Sequence, residues 1–174
     1  MSGFPSPSAL ARTVFEALSA AFSPDIPLWI RQAWTNPSPP PPAPDQDVLY
    51  YHLVPDPAAV ITERERTGSR SVFFRFAPYR LNLVFYGPNA ESLSWSVYQL
   101  LFLDGWGFPL SILRRGGIYP VPGAPGPSLI REEWEKQHRL RADLTVPLRV
   151  AFHESLPAPA EPWIQSVPEI RLET

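Results

Sequence analysis

A sustained alternation of apolar and polar residues between Arg139 and His153 constrains the fold of this chain more than any other feature. A period of two residues is typical of a β-strand, whose side chains point alternately to opposite faces of a sheet. A strand that is apolar on one face only is expected in a sheet with one buried side. Pro147 falls in the polar row and predicts an edge position or a bulge there. The apolar row consists of Leu140, Ala142, Leu144, Val146, Leu148, Val150 and Phe152.

Shorter segments also show strand patterns. Val48–Val54 is apolar on both faces, which predicts an interior strand. Val60–Arg66 and Arg70–Ala77 flank Thr67-Gly68-Ser69 and are predicted to form a hairpin. The remaining predicted strands are Leu28–Trp34, for which a helical turn is the alternative, Tyr79–Tyr86, and Ile164–Leu172 near the end of the chain.

Two segments have the 3.6-residue period of amphipathic helices. Residues 6–22 begin with Ser6 as a helix cap and Pro7 in the first turn. A second helix is predicted over Ala90–Leu103, with Asn89 as its cap. Together these segments predict an α+β fold. Its mostly antiparallel sheet has about five or six strands, with an N-terminal helix and a central helix packed on one face.

Proline accounts for 24 of the 174 residues and marks the connections between these elements. The chain length fits a single domain that spans residues 1–174. Within it, residues 37–44 are predicted to form a polyproline II connector, and residues 156–162 a Pro-rich linker to the last strand. The Val121–Pro127 segment is predicted to be a loop because it is rich in Pro and Gly.

The composition argues against several classes of protein. A net charge of -2 argues against a strongly basic nucleic-acid-binding protein and against a polybasic membrane protein. The chain contains no cysteine, so a disulfide framework and a thiol nucleophile are excluded. The first residues lack the pattern of a signal peptide, and no apolar run reaches the roughly 18 residues of a membrane helix. We therefore expect a soluble protein that is made in the cytoplasm.

Residue types that often carry catalysis do not form a recognisable pattern. None of the three histidines lies in the spacing of a metal site. Gly116-Gly117 is predicted to form a turn, and no nucleotide-binding pattern surrounds it. Arg114 and Arg115, expected in a loop, could bind phosphate, but two such arginines are more often solvated or salt-bridged. Glu132, Glu133 and Glu135, which flank a tryptophan, could act as an acid or a base, but the pattern favours a helical turn or a bend with an aromatic anchor. We therefore expect no catalytic residue, no cofactor and no metal.

The predicted hairpin carries alternating charges along its first arm, where Thr62–Arg66 contains no apolar residue that would account for its length. Such an arm is either a solvated part of the sheet or a projection that contacts a neighbouring subunit. A flexible turn at Asp104–Pro109 carries two large aromatic side chains. The predicted subunit-interface residues are Glu63, Arg64, Glu65, Arg66, Arg70, Trp106 and Phe108.

The order of the elements carries a resemblance to a known family. Its landmarks are Leu81–Pro88, a strand ending in Tyr-Gly-Pro; the Leu-rich helix Leu93–Leu103; Gly117-Ile118; Trp134-Glu135; and the long strand opened by Leu140-x-x-x-Leu144. Upstream, Trp34, Pro-rich sequence and the Val48–Leu53 strand keep the same layout. Over residues 8–172 the chain resembles the neck or tail terminator proteins of tailed bacteriophages. It departs from them in its longer proline loop at 37–44 and in the Val121–Pro127 loop.

The resemblance implies a structural virion protein without catalytic residues. Such proteins form a homo-oligomeric ring, commonly a hexamer, at the head–tail junction or at the tail end. The ring terminates the tail tube and joins the tail to head-completion proteins. DNA passes through the lumen without sequence-specific binding, and no membrane is involved. The alternatives are another tail or head-completion subunit and, with less support from the sequence, a small-molecule enzyme with an unrecognised site.

Overall fold

The computed structural model describes residues 6–22, 26–33, 42–56, 61–67, 70–103, 108–134 and 137–157. These residues form three helices, α1 (Pro7–Ala21), α2 (Ala90–Phe102) and α3 (Phe108–Arg115). They also form seven strands, β1 (Trp29–Gln32), β2 (Val48–Pro55), β3 (Ile61–Thr67), β4 (Arg70–Tyr86), β5 (Ile118–Pro120), β6 (Ser128–Trp134) and β7 (Gln137–Pro157).

All seven strands belong to one sheet. Its main path runs β1-β2-β4-β7-β5, while β3 pairs with β4 and β6 pairs with β7. The β1–β2 pair is parallel and the other pairs are antiparallel. The predicted α+β class is therefore confirmed, including the mostly antiparallel sheet, the N-terminal helix and the central helix.

The three helices pack on one face of this sheet. Side chains from all of them join a single buried cluster with alternate residues of β2, β4 and β7. The alternating row predicted from the sequence supplies the β7 members: Ala142, Leu144, Val146, Leu148 and Val150 are each at most 1% exposed. The opposite face, which we call the open face, is not covered by any helix of the described residues. Several of its side chains, among them Tyr50, Asn82, Val84 and Asp143, are half-buried.

Two prolines lie inside the two longest strands, at places where no partner strand needs a donor. The Pro78 carbonyl accepts a bond from the Asp56 backbone, in the interval between the pairings of β4 with β2 and with β3. The Pro147 carbonyl accepts from the Val121 backbone, between the pairings of β7 with β5 and with β6. In an extended strand the nitrogen and carbonyl of one residue face the same side, so each missing N–H faces such an interval. The predicted edge position of Pro147 therefore applies only at this residue, where neither β5 nor β6 pairs with β7. Elsewhere β7 is an interior strand.

The first turn of α2 is fixed from β2 rather than by its own cap residue. Asn89 is the N-cap, as predicted, but its side chain makes no capping bond. Instead, Asn89 donates from its backbone to Asp47 Oδ1 (3.0 Å) and from Nδ2 to Asp47 Oδ2 (2.8 Å). Asp47 is buried, and Gly87 lies against it at φ 116°, where a Cβ would overlap the Asp47 carboxylate. The tight junction therefore requires glycine.

Three predictions made from the sequence were wrong in detail. The segments Arg70–Ala77 and Tyr79–Tyr86 form one strand, since Pro78 is tolerated in the interval described above. Phe108 and Pro109, expected in a flexible turn, and Arg114 and Arg115, expected in a loop, belong to α3. Residues 132–134, expected as a helical turn or bend, lie in β6, because they extend the pairing with β7.

Other predictions fall partly outside the described residues. Of the connector at 37–44, only residues 42–44 are described, and of the linker at 156–162, only Leu156 and Pro157, which end β7. The strand predicted at Ile164–Leu172 lies wholly outside.

Candidate functional site

The long strands continue past the helix-covered core and form a three-stranded arm. We define the arm as β3 together with residues 70–76 of β4 and residues 151–157 of β7. Among residues whose burial is described, the last members of the core on these two strands are Ala77 and Val150. Seven residues at about 3.3 Å each carry the arm roughly 23 Å beyond that level. The predicted hairpin is therefore present, and β7 supports it as a third strand.

Five of the seven predicted interface residues lie on this arm. Glu63, Arg64, Glu65 and Arg66 belong to β3, and Arg70 is the first residue of β4. The backbone register pairs Glu63 with Phe74 and Thr67 with Arg70. Phe108 is placed elsewhere, at the start of α3, and Trp106 lies outside the described residues. The structure therefore groups the charged predicted residues and separates Phe108 from them.

A second candidate site lies on the open face. We define the open-face cluster as Tyr50, Tyr86, Glu132, Arg141 and Asp143. Arg141 donates from Nε and Nη2 to the two carboxylate oxygens of Asp143, each at 2.7 Å, and from Nη1 to Glu132 Oε1 at 3.5 Å. The Arg141 guanidinium carbon lies 5.8 Å from the centre of the Tyr86 ring. That ring meets Tyr50 edge-on, with centroids 6.1 Å apart.

The electrostatics of this cluster favour recognition over proton transfer. Hydrogen bonding to Asp143 raises the pKa of Arg141 further above its ordinary value, although partial burial opposes this shift. Burial raises the pKa of Tyr86; the charge of Arg141 opposes that rise, while the negative charge of Glu132 adds to it. Arg141 therefore stays charged and Tyr86 stays protonated near neutral pH. A general acid or base needs a pKa near the working pH, and these groups are moved away from it.

The sequence analysis missed this cluster because its members are far apart along the chain. Tyr50 and Tyr86 lie on separate strands, and Arg141 on a third, so only the sheet register brings them together. The alternation of β7 placed Arg141 and Asp143 in the polar row. Nothing in the sequence indicated that this row would meet two tyrosines.

The described residues contain no group of three or more potential metal-binding side chains. Gly116 and Gly117 form the turn between α3 and β5, whereas Arg114 and Arg115 lie in the last turn of α3 rather than in a loop. Cations are favoured at that end of a helix because it carries the negative pole of the dipole. Among the described helices, none has both the length and the apolar character that crossing a bilayer requires.

Comparison with known proteins does not place the chain in a group. No protein-family model matches it, and no curated protein is similar enough to be matched with it. Its function is therefore inferred from the order of its elements, the arm and the open-face cluster.

Proposed function

We propose that this chain is a structural protein of a tailed bacteriophage particle, which forms a ring at the head–tail junction or at the tail end. The ring terminates the tail tube and joins the tail to the head. Its partners are further copies of the same chain, commonly six in such rings, the tail tube protein and a head-completion protein. The protein has no catalytic role in this proposal.

The arm is the observation that carries the proposal. A monomer gains little by extending three strands about 23 Å past its helix-covered core, because a sheet needs an apolar face packed on another layer for its stability. The β3 sequence, Thr62-Glu63-Arg64-Glu65-Arg66, is too polar to build a second core of its own. A contact with a neighbouring molecule accounts for both the length and the charge of the arm.

The open face supports the same proposal from a different direction. The guanidinium of Arg141 is held by two carboxylates and the Tyr86 ring, so its position is fixed before any partner arrives. Fixed polar and aromatic groups on a half-buried surface lower the entropy cost of binding another rigid protein. Tyr and Arg are also among the residues enriched at protein interfaces.

The weak net charge suits a ring through which DNA slides. A lumen lined by many cations would bind phosphates and release counterions, which gives strong and sequence-independent DNA binding. With a net charge of -2, we expect a neutral or acidic inner wall and weak DNA binding by the isolated protein.

Removal of the gene from the phage or prophage that carries it tests the proposal. The expected lysate contains unjoined heads and tails, with tails of abnormal length, and the wild-type gene restores joined particles. Electron microscopy of the lysates measures both features. Joined particles with tails of normal length in the deleted strain would refute the proposal. Normal tails with unfilled or leaking heads would point instead to a head-completion subunit.

A variant that lacks residues 63–70 tests the role of the arm. Thr62 then remains opposite Arg75 with four residues between them, a length at which hairpins close. The helix-covered core lies outside the deletion, so we expect cooperative thermal unfolding to persist while complementation fails. As a matched control, the deletion of Pro122–Gly123 shortens a surface turn far from the arm in sequence. If the arm deletion complements as well as this control, the arm has no part in assembly.

A further inference from the structure

Two rows of residues run across the sheet at right angles to the strands, from β1 at one edge, through β2, β4 and β7, to β6 at the other edge. The first row is buried in the middle, the second is buried or half-buried there, and each is exposed at one or both ends. In the row facing the helices, Leu49, Phe85 and Ala142 are fully buried, whereas Leu129 at the β6 end is 48% exposed. The members of this first row are Ile30, Leu49, Phe85, Ala142 and Leu129.

The second row lies on the open face and ends in large apolar side chains at both edges. Trp29 on β1 is 49% exposed and Ile130 on β6 is 39% exposed. The members of the second row are Trp29, Val48, Tyr86, Arg141 and Ile130. In the described part of the chain, no strand pairs with the outer side of β1 or of β6.

The backbone groups on the outer side of β1 follow from its bonds to β2. The Trp29 and Ala33 nitrogens donate to the carbonyls of Asp47 and Tyr51 on the β2 side. Since successive residues of a strand face opposite sides, Ile30 and Gln32 present their N–H and C=O groups outward.

The outer side of β6 follows in the same way from β7. The Pro147 carbonyl and the Ala151 nitrogen are bonded on the side of β5 and β6, so the odd-numbered residues of β7 face that side. Arg141 is one of them, and its partner Ile130 therefore faces β7. Leu129 and Arg131 consequently present their backbone groups outward.

We propose that β6 of one copy pairs with β1 of the next copy, antiparallel, with Leu129 opposite Ile30 and Ile130 opposite Trp29. β1 and β6 run in opposite directions within one sheet, so two copies in the same orientation meet as antiparallel strands. In this register the backbone N–H and C=O groups of Leu129 and Ile30 point toward each other across the contact. The side chains of both residues lie on the face of the sheet that the helices cover. This register satisfies three conditions together: the two strands are antiparallel, the residues whose backbone groups point outward lie opposite each other, and apolar side chains are paired on both faces of the sheet.

We assign the partner as a second copy because each molecule carries both of the complementary edge strands, β6 and β1. The register also joins residues that already lie in the same row: Leu129 and Ile30 end one row, and Ile130 and Trp29 end the other. Neighbouring copies are therefore joined without a step along the strands. A head-to-tail contact closes into a ring when its rotation closes and otherwise forms a helical filament. A contact without a step along the strands is compatible with such closure. This inference rests on the proposed ring and identifies the edges that join its subunits.

The contact is small, which predicts assembly only when several copies meet. Large aromatic side chains bury roughly 150–250 Å² each, so a half-exposed Trp29 and three aliphatic side chains supply a few hundred Å² at most. A stable pair of proteins usually buries roughly 1,600 Å². The free chain is therefore expected to be monomeric at low concentration, and ring closure at the end of the tube supplies the missing cooperativity.

Engineered cysteines test the register, because the chain has none of its own. Trp29→Cys and Ile130→Cys are made as separate proteins, mixed at high concentration and oxidised. An opposed antiparallel pair has Cα atoms roughly 4.5–5.5 Å apart, within the range of a disulfide. We expect a covalent dimer at least about tenfold more abundant than in the mismatched mixture of Arg31→Cys with Ile130→Cys, whose diagonal separation is roughly 7–8 Å. Unchanged thermal unfolding of each reduced variant establishes that it folds.

The double variant Trp29→Cys/Ile130→Cys, in particles assembled with it, separates this inference from the proposed function. A ladder of covalent multimers on a non-reducing gel supports the edge contact. Equal cross-linking of Ile130→Cys with itself would show a two-fold β6–β6 contact and overturn it. If the protein is present in particles but gives no ladder, the inference fails while the proposed function stands. If mixed free proteins cross-link as expected but particles lack the protein, the inference stands and the proposed function fails.

Discussion

Leu144→Ala is the sharpest test of the fold, and Thr145→Ala is its matched control. Leu144 lies on the helix side of β7, opposite Leu83 of β4, and each is 1% exposed. Thr145 is the next residue; its side chain lies on the open face, is exposed, and donates to Asn82 Oδ1 at 3.2 Å. Because side chains alternate along a strand, a one-residue error in register would exchange the two environments.

The expected loss of stability follows from the burial of the leucine. Leu144→Ala removes three carbon atoms from the core, which costs about 2.4 kcal/mol at about 0.8 kcal/mol per buried carbon group. The cavity left between β4, β7 and the helices adds to this, so we expect a loss of about 3 kcal/mol, within the range of roughly 2–5 kcal/mol for such changes. Thr145→Ala removes an exposed hydroxyl and should cost about 0.5 kcal/mol.

Urea unfolding followed by tryptophan fluorescence measures the difference. With a slope of about 2 kcal/mol per molar urea, a loss of 3 kcal/mol lowers the midpoint by about 1.5 M, against about 0.25 M for the control. The slopes themselves should stay unchanged, because both variants bury nearly the same surface on folding. Equal midpoint shifts, or a larger shift for Thr145→Ala, would refute the register of β7.

Two further predictions concern polar groups. Asp47→Ala should lower the free energy of unfolding by about 2 kcal/mol, because two donors of Asn89 lose the buried carboxylate that they bind at the start of α2. Asp45→Ala, at an exposed position, should cost almost nothing. Equal shifts in melting temperature for the two variants would contradict the role of the buried carboxylate. Arg141→Asp places a third carboxylate beside the two that Arg141 now binds. It should lower the melting temperature and slow complementation, whereas Arg149→Asp, on the same face but exposed, should do neither.

The alternation of β7 shows how far local pattern can reach. It predicted a long strand with one buried face, and five residues of the predicted apolar row, Ala142, Leu144, Val146, Leu148 and Val150, are buried. The pattern also placed Arg141 in the polar row and gave no indication of its neighbours. That interpretation was incomplete, because the row meets Tyr86 and Glu132 from other strands, and a sequence does not record such neighbours.

The errors in the secondary structure have the same cause. Residues 108–115 contain too few apolar positions for a clear helical period, and they form α3 because Leu110 and Leu113 are buried, Leu113 in the core shared with the sheet. Residues 132–134 are polar and aromatic, and they form a strand because β7 offers them a hydrogen-bonding edge. In both segments the energy that selects the structure comes from distant residues.

The sequence by itself determined the class of the fold, the N-terminal helix with its cap at Ser6, the hairpin and the buried row of β7. Each of these follows from periodicity or from the chemistry of a turn or cap, which depends on residues close together in the chain. Only the tertiary structure decided that β4 runs unbroken through Pro78, that a three-stranded arm extends past the core, and that Tyr50, Tyr86 and Arg141 form one cluster. It alone also placed the exposed ends of the two rows at opposite edges of the sheet. These features depend on the register between strands, which is fixed by the packing of the whole core and not by any one segment.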